Sequence, residues 1–119
     1  MKQTDRVFED EGYWLVPDPS QPGDGWVTKM LLIPKWGGWT FNGDYERPTF
    51  SPSVRETGGA NWDYINHVFV RDGQIQYLSD CTHEYAGKTI DIPMPSDEDY
   101  AAMVLYLESK ADTKDKPCE

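Results

Sequence analysis

The sequence predicts an α+β fold: a mainly antiparallel β-sheet with one C-terminal α-helix. Three observations carry this. Asp72-Gly73 sits between two β-rich runs, as in a tight hairpin. Asn42-Gly43 gives a second two-residue hairpin signal. Tyr100, Met103, Val104 and Leu107 fall at helical spacing behind an acidic cap.

Taken in order, residues 1–12 are polar and read as frayed or edge-lying. Tyr13 to Val16 is a short apolar run suited to a strand. Pro17 to Gly25 is packed with turn formers and reads as a loop. Trp26 to Ile33 reads as a second strand, ended by Pro34. Trp39-Thr40-Phe41 leads into the Asn42-Gly43 turn. Glu46 to Val54 holds two prolines, so it is extended but not a fully paired central strand. Residues 55–63 read as an irregular loop.

The clearest element is 66–79. A two-residue turn at Asp72-Gly73 pairs Arg71 with Gln74, Val70 with Ile75, Phe69 with Gln76, Val68 with Tyr77, and His67 with Leu78. Val68, Val70, Ile75 and Tyr77 then share the core face. His67, Phe69, Gln76 and Leu78 share the other. Ser96 stands three residues before Asp99, as in a capping box with Asp for Glu, and starts a helix over about 97–110. The reading is one domain over 1–110 with a polar tail, 111–119.

The chain has 119 residues and a formal charge of −10, with 11 basic and 21 acidic side chains. That excess argues against nucleic acid, where cations neutralise phosphates, and against an anionic membrane surface. Neither a bilayer-length apolar run nor an apolar leader is present, so the expected location is the cytoplasm. Five tryptophans, seven tyrosines and four phenylalanines read mainly as core.

Candidate chemistry is sparse. The two histidines, His67 and His83, lie near Cys81 in sequence. Cys and His are zinc ligands, so Cys81, His83 and His67 are the candidate metal donors. Position 66 shares a face with 81 and 83, but Asn66 is a poor zinc ligand. The set falls short of the four donors of a structural site, so no cofactor is expected, zinc being the alternative. A Cys81–His83 nucleophilic dyad is weakened by Asp80 and Glu84, which oppose a thiolate. No catalytic residue is assigned. The acidic groups Glu9, Asp10, Glu11 and Asp97, Glu98, Asp99 are candidate contacts for a basic partner.

Two stretches carry a resemblance. One runs from Gly38 through Asp44 and on over Glu46 to Ser53; the other covers His67 to His83 and then Ala86 to Pro93. They resemble a family of small bacteriophage and prophage proteins, the domain of unknown function 6527. The resemblance covers somewhat over a third of the chain. That family has Cys-His where Asn66-His67 stands here, and an upstream Cys-x-x-Cys; no cysteine precedes Trp39 in this chain. The resemblance therefore implies a degenerate zinc site. It also implies a non-enzymatic phage accessory protein that binds another protein. Two settings fit: a virion or capsid component, or an acidic inhibitor of a host defence complex, of the anti-CRISPR kind. The expected partner is a phage structural protein or host defence protein with a basic surface. The alternative is a small zinc protein or metal-dependent enzyme built on Cys81, His83 and His67.

Overall fold

The computed structural model describes residues 2–58 and 64–115. Its strands are β1 (Phe8–Asp10), β2 (Tyr13–Pro17), β3 (Met30–Pro34), β4 (Thr40–Phe41), β5 (Phe50–Ser51), β6 (Val54–Thr57), β7 (Ile65–Arg71), β8 (Gln74–Tyr77) and β9 (Thr89–Asp91), followed by α1 (Asp97–Asp115). Among the described residues they form three antiparallel sheets, β1-β2-β3, β4-β5 and β6-β7-β8-β9, with a single C-terminal helix. The α+β expectation holds.

The β7–β8 hairpin has the expected register, from Val68 opposite Tyr77 to Arg71 opposite Gln74. Asp72 and Gly73 both take positive φ, 51° and 76°, the backbone that a two-residue turn between right-twisted strands requires. Val68, Val70, Ile75 and Tyr77 are all buried. They meet Val16, Leu31 and Ile33 of the first sheet, with Phe50 and Ile92 closing the core. Leu15, next to Val16, points the other way and packs with Phe8 and Met103 under the helix. The first sheet thus has packing partners on both faces, though Leu32 on the helix side stays partly exposed. That explains why Tyr13 to Val16 is apolar without alternation.

The helix begins where expected. The Ser96 hydroxyl accepts the Asp99 N–H at 3.1 Å, and Asp97, Glu98 and Asp99 occupy its positive end. It continues to Asp115, beyond the expected 110, so the first part of the expected tail is helical. Residues 116–119, Cys118 among them, lie outside the described residues.

Several local expectations are corrected. Asn42-Gly43 is not a two-residue hairpin turn. Strands β4 and β5 are joined by residues 42–49, and the Asn42 side chain organises that longer loop. Its Oδ1 accepts the N–H groups of Asp44 and Thr49, and its Nδ2 donates to the Arg47 carbonyl. Trp26–Thr28 is a 3-10 turn rather than the start of a strand. Its Thr28 hydroxyl donates to Asp24 O, and Trp26 turns toward Phe8 and the Pro93 carbonyl. Residues 1–12 are edge-lying, as one of the two expected readings had it, and contribute β1, but they are not wholly polar surface: Val7 and Phe8 are core. Residues 54–57, in part expected as loop, form β6; 59–63 lie outside the described residues.

The face assignment makes a direct prediction. Val70→Asp forces an unpaired charge into the core and should abolish cooperative thermal unfolding. Met103→Ala should fold but lose about 2–5 kcal/mol in urea denaturation. A cooperatively melting Val70→Asp protein would overturn the hairpin register.

Candidate active site

Strand β7 is central in its sheet, and β6 pairs with it antiparallel, Val54 opposite Val68 and Arg55 opposite His67. Val68 and Val54 point inward, so His67 and Arg55 point outward. Ser53 stands one residue before β6 on the same outward face. Its Oγ lies 3.0 Å from His67 Nε2. On the other flank, the chain leaves β8 in a turn closed by Cys81 N–H to Leu78 O at 3.1 Å. That turn carries Asp80 to the His67 ring, with Oδ2 3.0 Å from Nδ1.

Ser53, His67 and Asp80 therefore form a continuous hydrogen-bonded relay. A carboxylate oxygen only accepts, so Nδ1 carries the ring proton. That leaves Nε2 as the acceptor for the Ser53 hydroxyl. This is the arrangement of a nucleophile, a general base and the group that orients the base. His67 is largely covered, its side chain 23% exposed, while Asp80 is half exposed at 48%. Ser53 is held from behind as well: Trp39 Nε1 donates to its carbonyl at 3.1 Å. The His67 backbone is met by the Cys81 sulfur, which accepts its N–H at 3.3 Å.

Behind this face, the inward neighbour Asn66 anchors a buried polar cluster. The Asp18 carboxylate is fully buried and accepts from Ser20 N–H and hydroxyl, Gln21 Nε2, Asn66 Nδ2 and the Tyr77 hydroxyl. Asn66 Nδ2 also donates to Glu56 Oε1 at 3.0 Å, and Asn66 Oδ1 accepts from His83 Nε2 at 2.8 Å. His83 Nδ1 in turn accepts the Tyr85 N–H at 3.2 Å. One ring nitrogen donates and the other accepts, so His83 is neutral, and burial holds its pKa below the ordinary value. Burial pushes the Glu56 carboxyl up, and the Asp18 carboxylate adds to that. Burial and the Asp18 carboxylate push the Tyr77 hydroxyl up as well.

The three expected metal donors each have other partners. His67 binds Ser53 and Asp80, His83 binds Asn66, and Cys81 lies against the His67 backbone. Among the described residues no group of three or more His, Cys, Asp or Glu is arranged to hold a metal ion. Residue 66 does meet residue 83, as the shared face implied. The Cys81–His83 dyad does not form: burial pushes the thiol up and the His83 ring is engaged elsewhere. Of the acidic candidates, Glu9 pairs with Lys35 at 3.0 Å and accepts the Tyr45 hydroxyl at 2.6 Å. Asp97 accepts from Gln3 Nε2, and Asp97, Glu98 and Asp99 form the first turn of α1.

Sequence reading missed Ser53 entirely and treated Asp80 only as an obstacle to a thiolate. The β6–β7 pairing carries the missing signal. Once His67 is known to point outward between two strands, the polar residues that flank it on β6 and on the turn after β8 become candidates.

Residues 22–78, just under half of the chain, match the model of a family described as the bacterial ubiquitination-like system serine protease, BubE. The matched segment holds Ser53 and His67 and ends two residues before Asp80. No curated protein and no solved structure gives a significant match. The match corrects the earlier assignment in several respects. The similarity is to BubE and not to the phage family of domain 6527. It points to a protease component of a bacterial ubiquitination-like system, against the expectation of a non-enzymatic phage accessory, capsid or anti-CRISPR protein. Among the described residues no helix is long and apolar enough to cross a membrane.

The inner cluster yields a pH test. His83 has a lowered pKa in the folded chain, so the unfolded chain takes up its proton first. Its contribution is present above the ordinary value of 6.5 and is lost as pH falls below it. The urea midpoint should therefore drop between pH 8 and pH 5, and His83→Gln should flatten the drop. An unchanged slope in that variant would contradict the neutral, donor-acceptor role of the ring.

Proposed function

We propose that this chain is a serine peptidase of a bacterial ubiquitination-like system. The observation that carries the reading is the Ser53–His67–Asp80 relay, with both links at 3.0 Å. The family similarity over 22–78 supports the same chemistry and supplies the biological setting. Chain order Ser, His, Asp is no obstacle, because triads are defined by geometry and role.

In the proposed reaction, Ser53 Oγ attacks the carbonyl carbon of an amide while its proton passes to His67 Nε2. Asp80 holds Nδ1–H and stabilises the imidazolium that forms. Collapse of the tetrahedral intermediate breaks the C–N bond, and Nε2–H protonates the departing amine. Water, deprotonated by the same nitrogen, then hydrolyses the Ser53 ester. The reaction so written uses no cofactor. Arg55, directly across from His67 and exposed, is placed to meet the substrate. The free Cys81 thiol supports a reducing compartment, the bacterial cytoplasm. The charge of −10 supports a protein partner with a basic surface rather than a nucleic acid.

A fluorophosphonate probe should label the protein at Ser53, mapped by peptide mass spectrometry. Ser53→Ala and His67→Ala should abolish labelling without changing the circular dichroism spectrum. Asp80→Asn should slow it by about 10²–10⁴-fold, the lower part of that range reflecting its exposure. The wild type should release a fluorophore amide-linked to the C-terminus of a ubiquitin-like protein. A folded wild type that neither labels nor cleaves would overturn the proposal.

A further inference from the structure

We infer that Cys81 is a positioning residue for the base, its thiol acting as a clamp on the His67 backbone. This rests on the peptidase reading of the same site. In a regular antiparallel ladder His67 and Leu78 would exchange two backbone bonds. Only one forms, Leu78 N–H to His67 O at 2.9 Å. The Leu78 carbonyl instead accepts the Cys81 N–H, closing the turn that carries Asp80. The His67 amide is left without a ladder carbonyl, and a buried N–H needs a partner. The Cys81 sulfur fills that place at 3.3 Å, and it also reaches His67 O at 3.3 Å, where its S–H donates. The residue is 8% exposed, and burial keeps the thiol protonated, so both roles are available to it.

Adjacent residues of one turn thus hold His67 twice. Asp80 holds the ring at Nδ1, and Cys81 holds the backbone at N and O. The two contacts come from consecutive residues of one turn, which the Cys81 N–H to Leu78 O bond closes. The clamp fixes where Nε2 stands relative to Ser53, and nucleophile–base geometry is steep in its effect on rate.

Three variants separate clamping from space-filling. Cys81→Ser keeps a donor and an acceptor at the position, Cys81→Val keeps volume without either, and Cys81→Ala keeps neither. The readout is the rate of fluorophosphonate labelling of Ser53. Cys81→Val and Cys81→Ala should label about 10²-fold more slowly than wild type, and Cys81→Ser should recover most of the rate. The charged groups facing His67 are Asp80 on the turn and Arg55 on β6. Neither group is altered in these variants, so recovery in Cys81→Ser isolates the hydrogen-bonding role of position 81. A wild-type labelling rate in a folded Cys81→Val protein would overturn the clamp. Should Cys81→Val and Cys81→Ala fail to fold, hydrogen exchange on the wild type decides. The His67 amide should be protected like those of Val68 and Val70, and exchange at the rate of an open amide would overturn the clamp. If the wild type itself does not label at Ser53, the peptidase reading fails instead, which the exchange measurement distinguishes.

Discussion

Successive side chains of a strand point to opposite faces, and strand β7 places its chemistry on that rule. Asn66 faces inward, where it joins Asp18, Glu56 and His83. His67 faces outward, where it joins Ser53 and Asp80. A slip of one residue would bury the imidazole among carboxylates and expose the amide. The valines at 68 and 70 lock the alternation, because both are fully packed in the core. Everything on either face of this sheet inherits its position from that register.

The interior cluster shows what a strongly acidic chain must do to bury charge. A carboxylate removed from water is costly unless donors replace the lost hydration. Asp18 obtains them from its own loop, through Ser20 and Gln21, and from across the core, through Asn66 and Tyr77. The loop that composition marks only as turn-rich is thereby tied to the centre of the second sheet. Loss of one member leaves the others unpaired at depth, so the cluster works as a unit.

The parts of the fold legible in the sequence were those set by local chemistry. The Asp72-Gly73 reversal, the four inward residues around it and the Ser96 cap each depend on a few neighbouring residues. The site was much less legible. The sequence marks His67 as a metal donor and gives no sign of the company it keeps. Ser53 joins it only through the β6–β7 pairing, across a long connection, and Val-Arg-Glu-Thr has no strong strand pattern because Glu56 faces inward. Asp80 reaches the ring only because the turn after β8 breaks the ladder. Asn42-Gly43 misled for a related reason. Its side chain is used to bracket an eight-residue loop, so the dipeptide signals a turn of a different kind.

The first sheet is packed on both faces, with α1 against one and the second sheet against the other. Ser53, His67 and Asp80 sit on the outer side of that second sheet. Two layers of close packing therefore stand between the helix and the chemistry. Sequence drift along the helix is felt as altered robustness of the fold, while change at the outward-facing Ser53, His67 and Asp80 is felt at the relay alone, so the two can evolve on separate schedules.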